Sequence, residues 1–214
     1  MRNPNNKEYF ITALGLNTHD VYYKYQMHGD IVHYIDEKTN LSELSNADGA
    51  IVVANGQETR KIALTVRAAD CVPILFVDPK CRMIGVVHAG WQGTLLGITG
   101  TIVEKMKQNG SRPKDILVFM GAHIGACCYS IDALRADKFD KRFPSGSKVV
   151  LSRNGKYFAD LGQANTFELV KSGIGQHNID YDRICTSCGV KERFSYRQDT
   201  PETYGVMMGV LAWK

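Results

Sequence analysis

The sequence predicts a single mixed α/β domain, and three observations carry that prediction. Short apolar runs of β-branched residues follow one another without regular helices between them, a few stretches keep apolar side chains at helical spacing, and no repeat or linker divides the chain. At 214 residues the chain is long enough for one core without staples, and 44% hydrophobic with 22% charged residues excludes disordered and fibrous classes. Strands that do not alternate with helices argue against a doubly wound dinucleotide-binding sheet.

The elements read in order. Gly49 to Ala54, Lys61 to Val66, Val72 to Val77 and Arg82 to His88 are strand-like runs bounded by turn formers such as Asn55-Gly56 and Asp78-Pro79. The link Asp78-Pro-Lys-Cys81 is short enough for a hairpin, which makes the third and fourth runs antiparallel. After His88 the apolar residues Leu95, Leu96, Ile98, Ile102, Val103 and Met106 keep helical spacing, with Thr94 as the expected N-cap and Gly110 as the stop. Asp115 to Met120 is another strand, and Gly121 to Tyr129 is too rich in glycine for a regular element. Asp132 to Phe139 and Asp160 to Lys171 read as helices, the second ended by Gly173. Arg193 to Arg197 and Tyr204 to Trp213 close the chain as two further strand candidates.

A formal charge of +4, from 26 basic against 22 acidic residues and without a basic run, gives no footprint for nucleic acid. The longest apolar stretch, Val72 to Val77, falls far short of the roughly 20 residues of a membrane span. The polar N-terminus leads into no apolar export segment, so the expected address is the cytoplasm and the six cysteines are expected as free thiols.

Phosphate loops, dinucleotide fingerprints, zinc-protease helices, serine-hydrolase elbows and the zinc-deaminase signature are all absent. Three soft-ligand candidates, His28, Cys71 and His88, each lie at the edge of a strand-like run beside a small residue or turn former. Two imidazoles and one thiolate form an accepted catalytic zinc set with an open fourth position. Read by residue type alone, a buried thiol and satisfied histidines explain the three as well. The Gly-Trp-Gln-Gly-Thr94 stretch feeds a strand into a helix, a junction whose backbone N–H groups suit an anion or serve as a simple tight turn. Arg67 and Arg197 stand isolated in partly apolar contexts, as substrate-anion ligands or as partners of a carboxylate. His123 is a weaker ligand candidate. Cys185-Thr-Ser-Cys188 has C-x-x-C spacing, but Cys127 and Cys128 would have to complete a four-sulfur site and adjacent cysteines point apart. All four are expected to be packing or loop thiols.

Taken together, Gln26-Met-His-Gly-Asp30, Arg67-Ala-Ala-Asp-Cys-Val-Pro-Ile74, His88-Ala-Gly-Trp-Gln-Gly-Thr94, Gly121-Ala-His-Ile-Gly-Ala-Cys-Cys-Tyr129 and Phe194-Ser-Tyr-Arg197 closely resemble the laccase-domain (YfiH-like) family. That family was once described as multicopper polyphenol oxidases and is now regarded as purine nucleoside phosphorylases with accompanying adenosine deaminase activity. The motifs match in order from about residue 20 to residue 214, and the whole of 1–214 is expected as one domain. The resemblance implies a compact α/β domain with packed mixed β-sheets flanked by helices. It implies a zinc site on His28, Cys71 and His88, with copper as the second candidate metal, and a purine nucleoside (adenosine, inosine or methylthioadenosine) with phosphate as the small-molecule partners. Arg67, Gln92, Thr94 and Arg197 are the residues expected to bind substrate. The chain departs from the family pattern in four places. The N-terminal Thr-Arg-x-Gly-Gly-like motif is not matched before His28. Gln92 and Gln198 stand where members often have Arg, and the usual C-terminal Gly-Arg pair is replaced around Tyr204-Gly-Val206.

The competing functions are a cysteine hydrolase or amidase on cell-wall precursors, with Cys71 as nucleophile and His88 as base, a copper-dependent phenol oxidase, and a binding module with a structural zinc. Six histidines are too few for a multicopper cluster, and three ligands leave an open position that a structural zinc does not have.

Overall fold

Alternation along the central apolar runs gives a sheet with both faces buried. The computed structural model describes residues 11–16, 20–54, 61–189, 193–200 and 202–213, so the Asn55-Gly56 turn lies outside them. The strands are β1 (Asp20–Tyr22), β2 (Val32–Ile35), β3 (Gly49–Val53), β4 (Ile62–Ala68), β5 (Val72–Asp78), β6 (Met83–Ala89), β7 (Leu117–Met120), β8 (Ser130–Ile131), β9 (Val150–Arg153), β10 (Lys156–Ala159), β11 (Ile179–Tyr181) and β12 (Met207–Ala212). The helices are α1 (Trp91–Leu96), α2 (Ile98–Gln108), α3 (Ala133–Arg142) and α4 (Leu161–Lys171).

Six strands form the main sheet in the order β11-β7-β5-β6-β3-β2. The β5–β6 hairpin is antiparallel, as its short link requires, whereas β2 runs parallel to β3 and β11 parallel to β7. Val72, Ile74 and Phe76 of β5 and Met83 and Val87 of β6 face a core shared with Ile98, Ile102 and Met106 of α2. Ile84 and Val86 point the other way, toward Ile62, Leu64 and Val66 of β4. That period of two lets a continuously apolar strand serve two cores. The second sheet, β1-β4-β12, covers this other face, so the layers are helix, sheet, sheet. A third sheet, β8-β10-β9, packs with α3 at one side. Among the described residues no helix is long and apolar enough to cross a membrane.

Three sequence expectations are corrected. The helix after His88 starts at Trp91, with Gly90 as N-cap, and breaks at Gly97, whose φ of +83° in the left-handed region turns the chain into α2. Thr94 is therefore inside α1, not its cap. The apolar spacing continues across the break, which hides it. Arg193 to Arg197 is a turn rather than a strand, because its backbone groups are spent on local bonds such as Asp199 N–H to the Ser195 carbonyl at 2.8 Å. The helices expected from Asp132 and Asp160 form one residue later, with each aspartate as N-cap accepting from the N–H of the third residue on.

Gly85 shows how tightly α2 seats on the sheet: an added Cβ there would lie 2.8 Å from Ile102 Cδ1 and 3.0 Å from Ile51 Cγ2. Gly85→Ala should cost about 1–3 kcal/mol and Ile102→Val alone about 0.5–1.5 kcal/mol. The double variant, which removes the clashing methyl, should lose less than the sum in urea unfolding. Strict additivity would mean that the helix does not rest on Gly85.

Candidate active site

The site is organised around Asp48, immediately before β3 and only 3% exposed. Its carboxylate accepts the backbone N–H groups of Met27, His28 and Gly29 at 3.0, 2.9 and 2.8 Å. The same group holds His88 Nδ1 at 2.9 Å. Burial opposes ionisation, yet the His88 bond and the Gly29 and His28 amides keep the Asp48 carboxyl below the usual range. The segment that follows β1 is thereby folded back over β6, with His28 at a φ of +61°. A side chain in that backbone region is strained by about 1–3 kcal/mol and persists because its surroundings over-determine it.

His88 lies on β6 opposite Pro73 of β5, so the antiparallel register brings it beside Cys71, the residue before β5. The His28 and His88 rings meet edge to face with centroids 4.7 Å apart. One ligand atom from each of His28, Cys71 and His88 lies within 4.8 Å of the other two. Gly90 completes the cradle, since a Cβ there would lie 2.9 Å from His28 Cδ2 and 3.1 Å from Cys71 Sγ. Burial, then the neighbouring His88, pulls the His28 imidazole down toward its neutral, ligating form, while Asp48 opposes. Burial, with Asp70 and Asp48 adding to it, pushes the Cys71 thiol up to about 12. A thiol so placed ionises when a cation sits against it, and two imidazoles with one thiolate form a tetrahedral zinc set with one position open, so the residues fit that metal.

Above the triad opens a cleft of about 600 Å³, within the range of small-molecule sites. Arg67, Gln92 and Arg197 all line it, as do Trp91 and Tyr129. Arg67 lies over the Tyr23 ring at 4.2 Å. Its backbone is zipped to the Gln26 side chain by bonds of 2.7 and 2.9 Å. Arg197 is tied through its backbone N–H to Asp70 Oδ2 at 2.7 Å, and its guanidinium donates to Ser130. Thr94 is not part of the cleft: it is 1% exposed and its hydroxyl accepts from Asn165 Nδ2 at 3.0 Å. The helix that starts at this junction is only six residues long, so its dipole is small.

Sequence reasoning missed three features. Arg135 of α3 joins the cleft wall, stacked over Trp91 at 4.4 Å, although in sequence it looks like an ordinary surface-helix cation. Asp48 carries no local motif, and Asp70 lies within the Arg67–Ile74 motif but is given no role there. The cysteines are free thiols, as expected, but Cys127 and Cys128 do not point apart: with Cys185 and Cys188 they bring four sulfurs within 4.8 Å of one another. Adjacent side chains diverge in a strand but not in this turn, where Cys128 N–H and Tyr129 N–H both bond the Gly125 carbonyl at 3.0 Å. His123 is a buried core histidine, its Nδ1 2.8 Å from the Gly121 carbonyl.

A layered α/β domain with a His₂Cys group beneath an arginine-lined cleft defines an enzyme that acts on small molecules. The chain belongs to the multi-copper polyphenol oxidoreductase laccase family, whose pattern matches residues 3–214. It is 32% identical to purine nucleoside phosphorylase YlmD of Geobacillus stearothermophilus over 83% of this chain and 67% of that one. It is 31% identical to adenosine deaminase RL5 of an unknown prokaryotic organism, over 86% of this chain and 72% of that one. The crystal structure of Bacillus licheniformis hypothetical protein YfiH superposes with a TM-score of 0.83 at 32% identity, covering 96% of this chain and 79% of that one.

Asp48→Asn should weaken zinc binding about 10- to 100-fold, because an amide cannot orient His88 and hold three backbone donors at once. Competition with a fluorescent zinc chelator measures this, and unchanged affinity would remove Asp48 from its supporting role.

Proposed function

We propose that the chain is a zinc-dependent purine nucleoside phosphorylase, acting on adenosine, inosine and methylthioadenosine, with adenosine deaminase activity, and that it works in the cytoplasm. The observation that carries this reading is the gathering of His28, Cys71 and His88 at the floor of a cleft lined by Arg67, Arg135 and Arg197. His28, Cys71 and His88 would hold the zinc, whose contribution when bound is Lewis-acid polarisation of an oxygen nucleophile.

The residues of the chain supply the rest. In phosphorolysis a phosphate oxygen attacks the ribose anomeric carbon, the bond to the base breaks, and the base leaves with the electron pair and takes up a proton. Arg67 and Arg197 approach from two walls and place the phosphate, with Arg135 as a third cation. This third cation matters where Gln92 stands in place of a family arginine. Gln92 offers both a donor and an acceptor to the base or ribose. Trp91 and Tyr129 present aromatic surface for the base. In deamination water adds at the purine C6 and ammonia departs, a reaction that needs no phosphate.

The Asp48–His88 pair would also suit a cysteine hydrolase with Cys71 as nucleophile. An activated nucleophilic thiol is drawn down in pKa, however, and Cys71 is pushed up to about 12 by burial and by its carboxylate neighbours. Copper oxidation of phenols would need further histidines near the triad. His33 instead bonds Tyr22 and Ser45, and His123 bonds Gly121.

Zinc-loaded protein incubated with inosine or adenosine should release free base only when phosphate is present, and should convert adenosine to inosine without it. Both products, resolved by chromatography, should vanish in Cys71→Ala. Arg67→Met and Arg197→Met should each raise the KM for phosphate about tenfold or more, as expected for a lost hydrogen bond to a charged group. A zinc-loaded protein that makes neither product would shift the reading to the hydrolase.

A further inference from the structure

The second thiol group stands apart from the cleft triad, and the proposed nucleoside chemistry makes no use of it. Cys127, Cys128, Cys185 and Cys188 are all free thiols. Each sulfur is within 4.8 Å of the other three, and Cys127 and Cys188 are 3.5 Å apart. Four sulfurs held at about 2.3 Å around a tetrahedral zinc stand about 3.8 Å apart, so the group needs an adjustment of only about 1 Å to close on an ion.

The backbone is arranged for such closure. Cys185-Thr-Ser-Cys188 turns tightly, with Gly189 N–H bonded to the Cys185 carbonyl at 2.9 Å, which gives the C-x₂-C spacing and turn of a zinc knuckle. The second pair comes from the turn that begins at Gly125, whose own N–H donates to Cys185 Sγ at 3.2 Å. Only a glycine fits comfortably there, because a Cβ would lie 3.1 Å from Cys127 Sγ. Two arginines brace the backbone beside the group: Arg153 donates to the Ala126 carbonyl, next to Cys127, and Arg193, paired with Asp182 at 2.7 Å, donates to the Ile184 carbonyl, next to Cys185.

We propose that Cys127, Cys128, Cys185 and Cys188 bind one structural zinc ion, separate from the cleft, that locks the 121–129 loop to the 185–189 turn. Each thiol gives up its proton to solvent as its sulfur becomes a ligand, and all four coordination positions are filled by protein. The lock bears on the cleft through neighbours already bonded to it. Thr186 N–H donates to the His123 carbonyl at 3.1 Å, and the Thr186 hydroxyl donates to Asp70 Oδ1 at 2.6 Å. Asp70 precedes the ligand Cys71 and holds the backbone of Arg197. The clamp is thus a positioning device for one cleft wall, whatever substrate the cleft takes.

Metal content of the 214-residue chain, measured by inductively coupled plasma mass spectrometry after dialysis against buffered zinc, should be two ions per chain. Cys188→Ser should keep one, Cys71→Ala should keep one, and the combined variant none. This separates the two sites, since failure of the cleft reading would remove only the ion lost with Cys71→Ala. Cobalt-loaded Cys71→Ala should show the intense thiolate charge-transfer bands of tetrathiolate cobalt. A measurement on the unmutated protein guards against misfolded variants. Iodoacetamide should label the four cysteines slowly when zinc is bound and on the order of tenfold or more faster after chelation, the four responding together in peptide mass maps. A zinc content that Cys188→Ser leaves unchanged, rapid labelling before chelation, a Cys127–Cys188 disulfide, or iron in place of zinc would each overturn the assignment.

Discussion

The buried carboxylate of Asp48 is the constraint on which the site depends. A charge this far from water must be fully satisfied, and its four donors come from two separated pieces of chain: three successive amides at Met27, His28 and Gly29, and the imidazole of His88. Each bond does structural and chemical work together. The amides fix a strained loop that would otherwise be free to leave the sheet, and the imidazole bond commits one ring nitrogen of His88 so that the other faces the cleft. Removing the carboxylate would leave a loop without its anchor and a ligand without its orientation.

Asp70 plays the complementary role on the other side of Cys71. It too has a backbone in the left-handed region, at a φ of +84°, and its main-chain carbonyl accepts Ile124 N–H at 2.9 Å. Its two carboxylate oxygens accept from Thr186 and from the Arg197 backbone. One residue therefore joins the end of β4, the glycine-rich loop, the C-x-x-C turn and the arginine turn. Two acids, one on each side of the triad, convert a set of loops into a cleft with fixed walls. The strain at His28 and Asp70 marks where the chain is bent to serve the site rather than the core.

How much of this was legible in the sequence follows from the kind of interaction involved. The strands β3 to β6 were readable because burial on both faces writes itself as unbroken apolar runs, and the β5–β6 hairpin because its link leaves no other route. β1, β2 and β8 to β11 were not readable, being two to four residues long and in part exposed. The helix break at Gly97 was masked by apolar spacing that continues through it. His28, Cys71 and His88 were visible as residue types, but only the resemblance to a family ranked them above ordinary core groups. Their proximity depends on the β5–β6 register and on Asp48, which no local pattern announces. The four cysteines are free thiols, as expected, but their grouping was hidden for the converse reason. The rule that neighbouring side chains diverge applies to extended chain, and a single turn at Gly125 suspends it.

The two reactions proposed for the cleft act at opposite ends of a nucleoside, the anomeric carbon of the ribose and C6 of the base. A single rigid floor cannot address both in one pose, so the division of labour falls between floor and walls. The triad is the fixed part, with His88 on β6, Cys71 at the edge of β5 and His28 on the loop that Asp48 anchors. The cations stand on different supports: Arg67 near the end of β4, Arg135 on α3, and Arg197 on a turn held by Asp70. With phosphate held among those arginines, the ribose end of the substrate must face the attacking oxygen. Without phosphate, the base end is free to turn toward the floor. On this reasoning the phosphate occupancy of the arginine walls decides which end reacts. A fixed floor with separately supported cations is compatible with similarity to relatives named as phosphorylase and as deaminase.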